Sequence, residues 1–298
     1  MTGLLLHCPH EERGPDAFDS VVDTELARHG MPVLGRLPHP PRRSPHRTVL
    51  DRVFVPAGLH PVSAERRHLD QLAQAGAELF EIGLATEDAV LDGPVIQTAY
   101  HRALRRGNVL DAAVRAVEHA AGLRSTVVMT YWEPVRRHGP EHLARLFADA
   151  SAAGVMVVDL PAHQAARWHD AARDVGLRTP RLIPRTTLDT SLPAAVVGAS
   201  GWLYAPANTA PTGYQGPLDI PALGHFARRL RGASPLPVVS GVGISTPALA
   251  ARVAPLVNGV VIGTPVVRAL ATDPERAAEV TAAFAQALHT PTSGETRA

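Results

Sequence analysis

Residues 80–97 read Phe-Glu-Ile-Gly-Leu-Ala-Thr-Glu-Asp-Ala-Val-Leu-Asp-Gly-Pro-Val-Ile-Gln, a stretch that sets carboxylates where an ordinary core strand has none. Leu79, Phe80 and Ile82 form a short apolar run around Glu81, the pattern of a buried strand directed into a barrel interior or toward its C-terminal mouth. Asp92 lies in Asp-Gly-Pro, a turn leading through Val95-Ile96-Gln97 into a helical run, which places it at a loop end beside Glu81. Two carboxylates so placed have the geometry of an acid/base pair. The competing reading, an ion-paired core acid followed by a plain turn residue, stays open on these residues alone.

Working outward, a short apolar run, a Gly or Pro turn and an amphipathic Ala/Arg/Leu helix recur from residue 52 onward, as βα units do. The candidate strands are Val53–Pro56, Leu79–Gly83, Ser125–Thr130, Val155–Asp159, Arg181–Pro184, Trp202–Ala205, Pro237–Ser240 and Gly259–Ile262. Between them the pattern predicts helices over Ser63–Gln74, Thr98–Arg106, Val109–Ala121, Glu141–Ala153, Ala162–Val175, Ile220–Arg231 and Pro247–Ala254, with a last one over Pro274–Leu288. Gly76, Gly107, Gly122, Gly154 and Gly176 stand where helix C-caps belong. This repeat favours a closed (β/α)8 TIM barrel over an open doubly wound sheet, and Glu81 and Asp92 then fall at the second strand and its following loop, on the face where barrel chemistry sits.

The expected organisation is an irregular N-terminal extension over 1–48, a single barrel domain over 49–290, and a disordered tail over 291–298. Seven prolines interrupt the extension, although Phe18–His29 has the pattern of a short helix. His7, His10, His39 and His46 lack a metal-site spacing, so no metal is expected. At 298 residues, 45% hydrophobic but 4% aromatic, the chain is long enough for one large aliphatic core. A net charge of +1 gives no basic excess for nucleic acid or anionic membranes, and neither partner is expected. The single cysteine, Cys8, fits a reducing compartment. Met1–Leu6 is too short for a signal peptide and no run is long enough to cross a bilayer, so a cytoplasmic protein is expected.

All 29 Lys+Arg residues are arginine. Without lysine there is no Schiff-base aldolase, no lysine-anchored pyridoxal phosphate and no P-loop nucleotide site, and no cofactor is expected. A metal-dependent aldolase would need clustered histidines, and those here fall mostly in helices or loops.

Late in the chain, Ser240-Gly241-Val242-Gly243-Ile244-Ser245 and Ile262-Gly263-Thr264 follow the seventh and eighth strands, and Thr212-Gly213 follows the sixth. Loops after the last strands of such barrels commonly bind phosphate through backbone N–H groups, and glycine removes the Cβ that blocks approach. Gly241-x-Gly243 is not a dinucleotide fingerprint, because the third glycine and downstream acid are missing.

Glu81-Ile82-Gly83 with Asp92-Gly93-Pro94-x-Ile96-Gln97 resembles the motif of the tryptophan synthase alpha subunit family. The likeness runs in order over roughly residues 50–271, including Met129-Thr130-Tyr131 and Asp159-Leu160-Pro161. It implies retro-aldol cleavage of indole-3-glycerol phosphate, or a ring-substituted analogue, to indole and glyceraldehyde 3-phosphate, with no lysine required. Glu81 would be the acid and base, Asp92 the acceptor of the indole N–H, and Tyr131, Tyr204, Thr212 and Ile96 the substrate-contacting residues. Gly213, Gly243, Gly263 and Thr264 would hold the phosphate, Thr264 standing where the family usually has serine. The missing lysine also sets the chain apart from the barrel enzyme that makes indole-glycerol phosphate.

The resemblance breaks on particular loops. Ala85-Thr86-Glu87-Asp88-Ala89 replaces a segment close to Pro-Phe-Ser-Asp-Pro that contacts the family's beta subunit, Trp132-Glu133-Pro134 follows Tyr131, and the sixth loop lacks the usual Arg and an earlier Gly. These departures imply a free-standing lyase releasing indole. The alternatives are a partner-dependent alpha subunit and a weakly active regulatory homologue that binds a beta-like subunit. Another phosphate-binding barrel isomerase or aldolase is disfavoured by the linked carboxylate motif.

Overall fold

The computed structural model describes residues 50–290. In chain order the elements are β1 (Leu50–Pro56), α1 (Val62–Gln74), β2 (Leu79–Gly83), α2 (Pro94–Arg106), α3 (Val109–Ala121), β3 (Ser125–Thr130), α4 (Trp132–His138), α5 (Pro140–Asp149), β4 (Gly154–Val157) and α6 (Ala165–Asp174). They continue with β5 (Arg181–Leu182), α7 (Leu192–Ala195), β6 (Leu203–Pro206), α8 (Ile220–Ala233), β7 (Val238–Gly241), α9 (Pro247–Val253), β8 (Gly259–Ile262), α10 (Thr264–Thr272) and α11 (Glu275–His289). The expected extension 1–48 with its Phe18–His29 helix and four histidines, Cys8, and the tail 291–298 lie outside the described residues.

The strands run parallel in the order β4-β3-β2-β1-β8-β7-β6-β5. β1 pairs with both β2 and β8, so the sheet curls into a (β/α)8 barrel. The remaining joint, β4 to β5, is carried by one bridge between Gly154 and Arg178, where Val155 N–H donates to the Arg178 carbonyl (2.9 Å) and Arg178 N–H to that of Ala153 (3.1 Å). β5 has two residues rather than the expected four. Pro180 and Pro184 flank it and neither can donate to a ladder.

Strand residues alternate between the two layers. Val53, Val55, Phe80 and Ile82 are buried toward the helices, while Phe54 and Glu81, paired in register, face the barrel interior. Glycine punctuates the helices much as the spacing predicts: Gly76, Gly107 and Gly176 follow α1, α2 and α6 with φ of 111°, 78° and 77°. Gly122 caps α3 in the right-handed region. Gly154 is a correction. The preceding helix ends at Asp149, Ser151 takes the left-handed turn at φ 66°, and Gly154 begins β4. A Cβ there would stand 2.5 Å from the Arg178 carbonyl oxygen, so this glycine serves the β4–β5 joint and not a cap.

Three helices carry no signal in the sequence pattern, one of them the four-residue α7. α10 begins Thr-Pro-Val-Val directly after β8, so its apolar residues read as a continuation of the strand, and α4 is short with Pro134 in its first turn. No helix among the described residues is long and apolar enough to cross a membrane.

Candidate active site

Glu81 occupies the middle of β2, where all five residues are buried, with Phe54 of β1 and Val127 of β3 as its register neighbours. It is 1% exposed, and its Oε1 has no hydrogen-bond partner among the described residues. Enclosure pushes its pKa up to about 7 against the pull of Arg52. No cation stands within ion-pair distance of it among the described residues. The ion-paired alternative therefore lacks its partner.

Asp92 is held quite differently. Its Oδ2 accepts from the Tyr131 hydroxyl (2.8 Å) and its Oδ1 from the Thr212 hydroxyl (3.1 Å). Burial raises its pKa to about 6, and the two hydroxyls oppose that rise. The same hydroxyls also serve as acceptors, Tyr131 from Leu91 N–H (3.2 Å) and Thr212 from Gly93 N–H (2.8 Å). Gly93 is needed for close approach, since a Cβ would lie 1.9 Å from the Thr212 carbonyl oxygen. The loop after β6 is thereby docked on the loop after β2. Pro94 then starts α2, its missing N–H costing nothing in a first turn.

Glu81, Asp92, Ile96, Tyr204, Thr212, Gly213, Gly243, Gly263 and Thr264 all line one cavity of about 330 Å³, within the range of a small-ligand site. Tyr131 is not among the lining residues. It is 1% exposed and reaches the site through Asp92. Tyr204 lies against Gly241, where a Cβ would come 1.9 Å from the tyrosine hydroxyl, so that glycine makes room for the ring. Gly213 and Gly243 adopt φ of 88° and 89°, and between the two glycines of the β7 loop Val242 is itself held at φ 60°. Gly263 is the N-cap of α10, and Thr264 is its first residue.

Sequence reasoning missed several walls of the cavity: Phe54, Met129, Tyr214, Ser245 and Arg268. Arg268 stands one turn inside α10, a helix with no prior signal. Among the described residues no three His, Cys, Asp or Glu side chains are grouped to hold a metal ion.

With this geometry in view, similarity to known proteins decides the relationship. The family profile described as tryptophan synthase alpha chain matches residues 50–293. The chain belongs to the tryptophan synthase alpha chain family. It is 34% identical over 227 residues to the tryptophan synthase alpha chain of Streptomyces coelicolor, covering 76% of this chain and 83% of that one. With the corresponding chain of Xanthomonas axonopodis pv. citri the identity is 35% over 221 residues, covering 73% and 82%. Among solved structures, Mycobacterium tuberculosis tryptophan synthase superposes with a TM-score of 0.76 at 29% identity, covering 82% of this chain and 94% of that one. A chain of the tryptophan synthase alpha family is a carbon–carbon lyase, and its reaction is the cleavage of indole-3-glycerol phosphate to indole and glyceraldehyde 3-phosphate.

Proposed function

We propose that Glu81 and Asp92 carry out this cleavage. The observation that supports the reading most directly is an enclosed carboxylate, Glu81, whose Oε1 has no partner among the described residues, in the same cavity as Asp92 and three glycine-bearing loops. The hydroxyl on the side-chain carbon next to the indole loses its proton, and C3 of the indole gains one. The bond between those carbons breaks, its electron pair returns to the ring, and the oxygen is left as the aldehyde carbonyl. One carboxylate with a pKa near neutrality can take the first proton and supply the second, so Glu81 suffices as both base and acid. Asp92 accepts the indole N–H and stabilises the positive charge that develops on the protonated ring. Each of its oxygens already receives a hydroxyl and retains a free lone pair for that bond.

Ile96 and Tyr204 flank the substrate, Thr212 and Tyr131 fix Asp92, and the phosphate lies against Gly213, Gly243, Gly263 and Thr264. The N–H groups at the start of α10 and the Thr264 hydroxyl are suited to an anion. No step requires a cofactor.

In the segment that departs from the family, Ala85, Thr86 and Ala89 are buried and only Glu87 and Asp88 face solvent. Asp88 N–H turns back to the Thr86 hydroxyl (3.4 Å), and Ala89 carbonyl accepts from Gln97 (3.1 Å). A loop closed on itself in this way favours a lyase that works without a partner. One observation favours a beta-type subunit instead: Val90 and Leu91, directly after the loop, are 70% and 42% exposed.

The test is indole release from indole-3-glycerol phosphate by the purified chain, alone and with a tryptophan synthase beta subunit, with Glu81→Gln as control. Rapid Glu81-dependent release by the chain alone is expected. Release that needs the beta subunit would assign Val90 and Leu91 to an interface, and a full-rate Glu81→Gln enzyme would reject the mechanism.

A further inference from the structure

Near its start β1 carries two charged residues, Asp51 and Arg52, both buried. Arg52 precedes Phe54 by two residues and so shares its inward face. Phe54 is the register partner of Glu81, and Arg52 therefore lies diagonally across from Glu81, one layer lower in the barrel. The site for this cation is built into the fold. Its guanidinium lies 4.0 Å from the centroid of the Trp202 ring, and Gly259 of β8 leaves the space it fills, since a Cβ there would stand 2.7 Å from Arg52 Nε. Among the described residues Nε and Nη1 have no hydrogen-bond partner, as Glu81 Oε1 has none.

We propose that Arg52 is a positioning residue for the cleavage, the buried counter-charge that acts on the substrate only through Glu81. The inference rests on the reading of Glu81 as proton carrier. Enclosure alone drives a carboxyl toward permanent protonation, whereas a direct ion pair drives it toward permanent ionisation. A proton carrier needs the state between, and a cation in the same interior but outside ion-pair contact provides it.

Arg268 of α10 lines the same cavity, but of the two cations only Arg52 pulls on the Glu81 carboxyl. β3, β4, β7 and β8 carry no titratable side chain, and β5 carries Arg181 paired with Leu203, on the face opposite that of Tyr204. β6 supplies Tyr204 and the loop after β2 supplies Asp92, neither of them a cation. Among the described residues Arg52 is the one charge that lowers the pKa of Glu81, and Glu81 in turn is the strongest of the acidic groups that keep Arg52 charged, ahead of Tyr204 and Glu78.

The sign of the effect follows. Without Arg52, burial acts unopposed, the Glu81 pKa rises, and the acid limb of kcat/KM moves to higher pH. The experiment is a 13C NMR titration of glutamate carboxyls in the full chain, with the Glu81 signal assigned by Glu81→Gln, for wild type, Arg52→Met and Arg52→Lys, alongside kcat/KM against pH.

The wild-type midpoint is expected near 7. Arg52→Met should raise both midpoint and acid limb by about one pH unit or more, with activity recovering toward pH 9, while Arg52→Lys stays within about half a unit. An unchanged midpoint in Arg52→Met overturns the proposal. Should Arg52→Met not fold, Arg52→Gln and the wild type decide it: a wild-type midpoint in the ordinary carboxylate range, or above ~9, also overturns it. A shifted NMR midpoint in a chain whose indole release ignores Glu81 removes the proton-carrier reading and leaves the charge coupling. Glu81-dependent release with unmoved titrations removes Arg52 alone.

Discussion

Tyr131 does not line the cavity, yet its hydroxyl is one of the two that hold Asp92. Tyr131→Phe leaves the packing of a fully buried ring intact and removes one charge-assisted bond, typically worth about 1.5–3 kcal/mol. We expect kcat to fall roughly tenfold or more, with a rise in the Asp92 pKa from about 6. Steady-state kinetics across pH checks this, and an unaltered profile would show that Thr212 suffices. Glu81→Gln is the harsher change, expected to cost about 10² to 10⁴ in kcat because the amide can neither take nor return the proton. Both carboxylates were legible in the sequence, one as a charge inside an apolar run and the other in Asp-Gly-Pro. Arg52 was not. A charged pair just before Val53 reads as a solvated strand edge, and only the pairing of β1 with β2 and β8 turns its face inward.

Among the elements, the β7 loop stores strain. Val242 sits at φ 60°, a region that costs an L residue roughly 1–2 kcal/mol, and more awkwardly so for a β-branched one. Val242→Gly should therefore raise stability by about 1 kcal/mol, the relief being partly offset by chain entropy. It should also weaken substrate binding, because the loop that carries Gly243 loses its fixed shape. Thermal denaturation and KM, measured together, test the pair of effects; a destabilised variant would mean that the Val242 side chain contributes more by packing than its backbone costs. Strands β2, β3 and β8 were legible to the residue, since each is an apolar run bounded by turn residues. β5 and α10 were not, for opposite reasons: prolines shorten the first, and the apolar start of the second merges with β8. Arg268 went unseen with α10, so the cationic wall of the cavity was missing from the sequence picture.

For the molecule as a whole, an unusual set of enclosed carboxyls governs stability. Burial raises Asp51, Glu65 and Glu81 to about 7 and Asp92 to about 6. Between about pH 4 and 7 the folded chain keeps protons on these groups that the unfolded chain has released, so folding stability declines as pH rises through that window. His60, His68 and His169, held below their usual value mainly by burial, act with the opposite sign up to 6.5. The carboxyl displacements are the larger and should prevail. We expect Tm to be higher near pH 5 than near pH 8. Asp51 lies outside the cavity and neither carboxylate oxygen has a partner among the described residues, so Asp51→Asn should raise Tm at pH 8 by a few degrees, about 2–4 °C, and leave it nearly unchanged at pH 5. A Tm that climbs from pH 5 to 8 in wild type would contradict this account. The β4–β5 joint carries a different consequence. Severing the chain after the exposed Gly176 breaks no strand ladder, and it leaves Glu81 and Asp92 on one polypeptide and Gly213, Gly243 and Gly263 on the other. Neither piece holds a complete cavity, so indole production on mixing them becomes a reporter of whatever brings two fused proteins together.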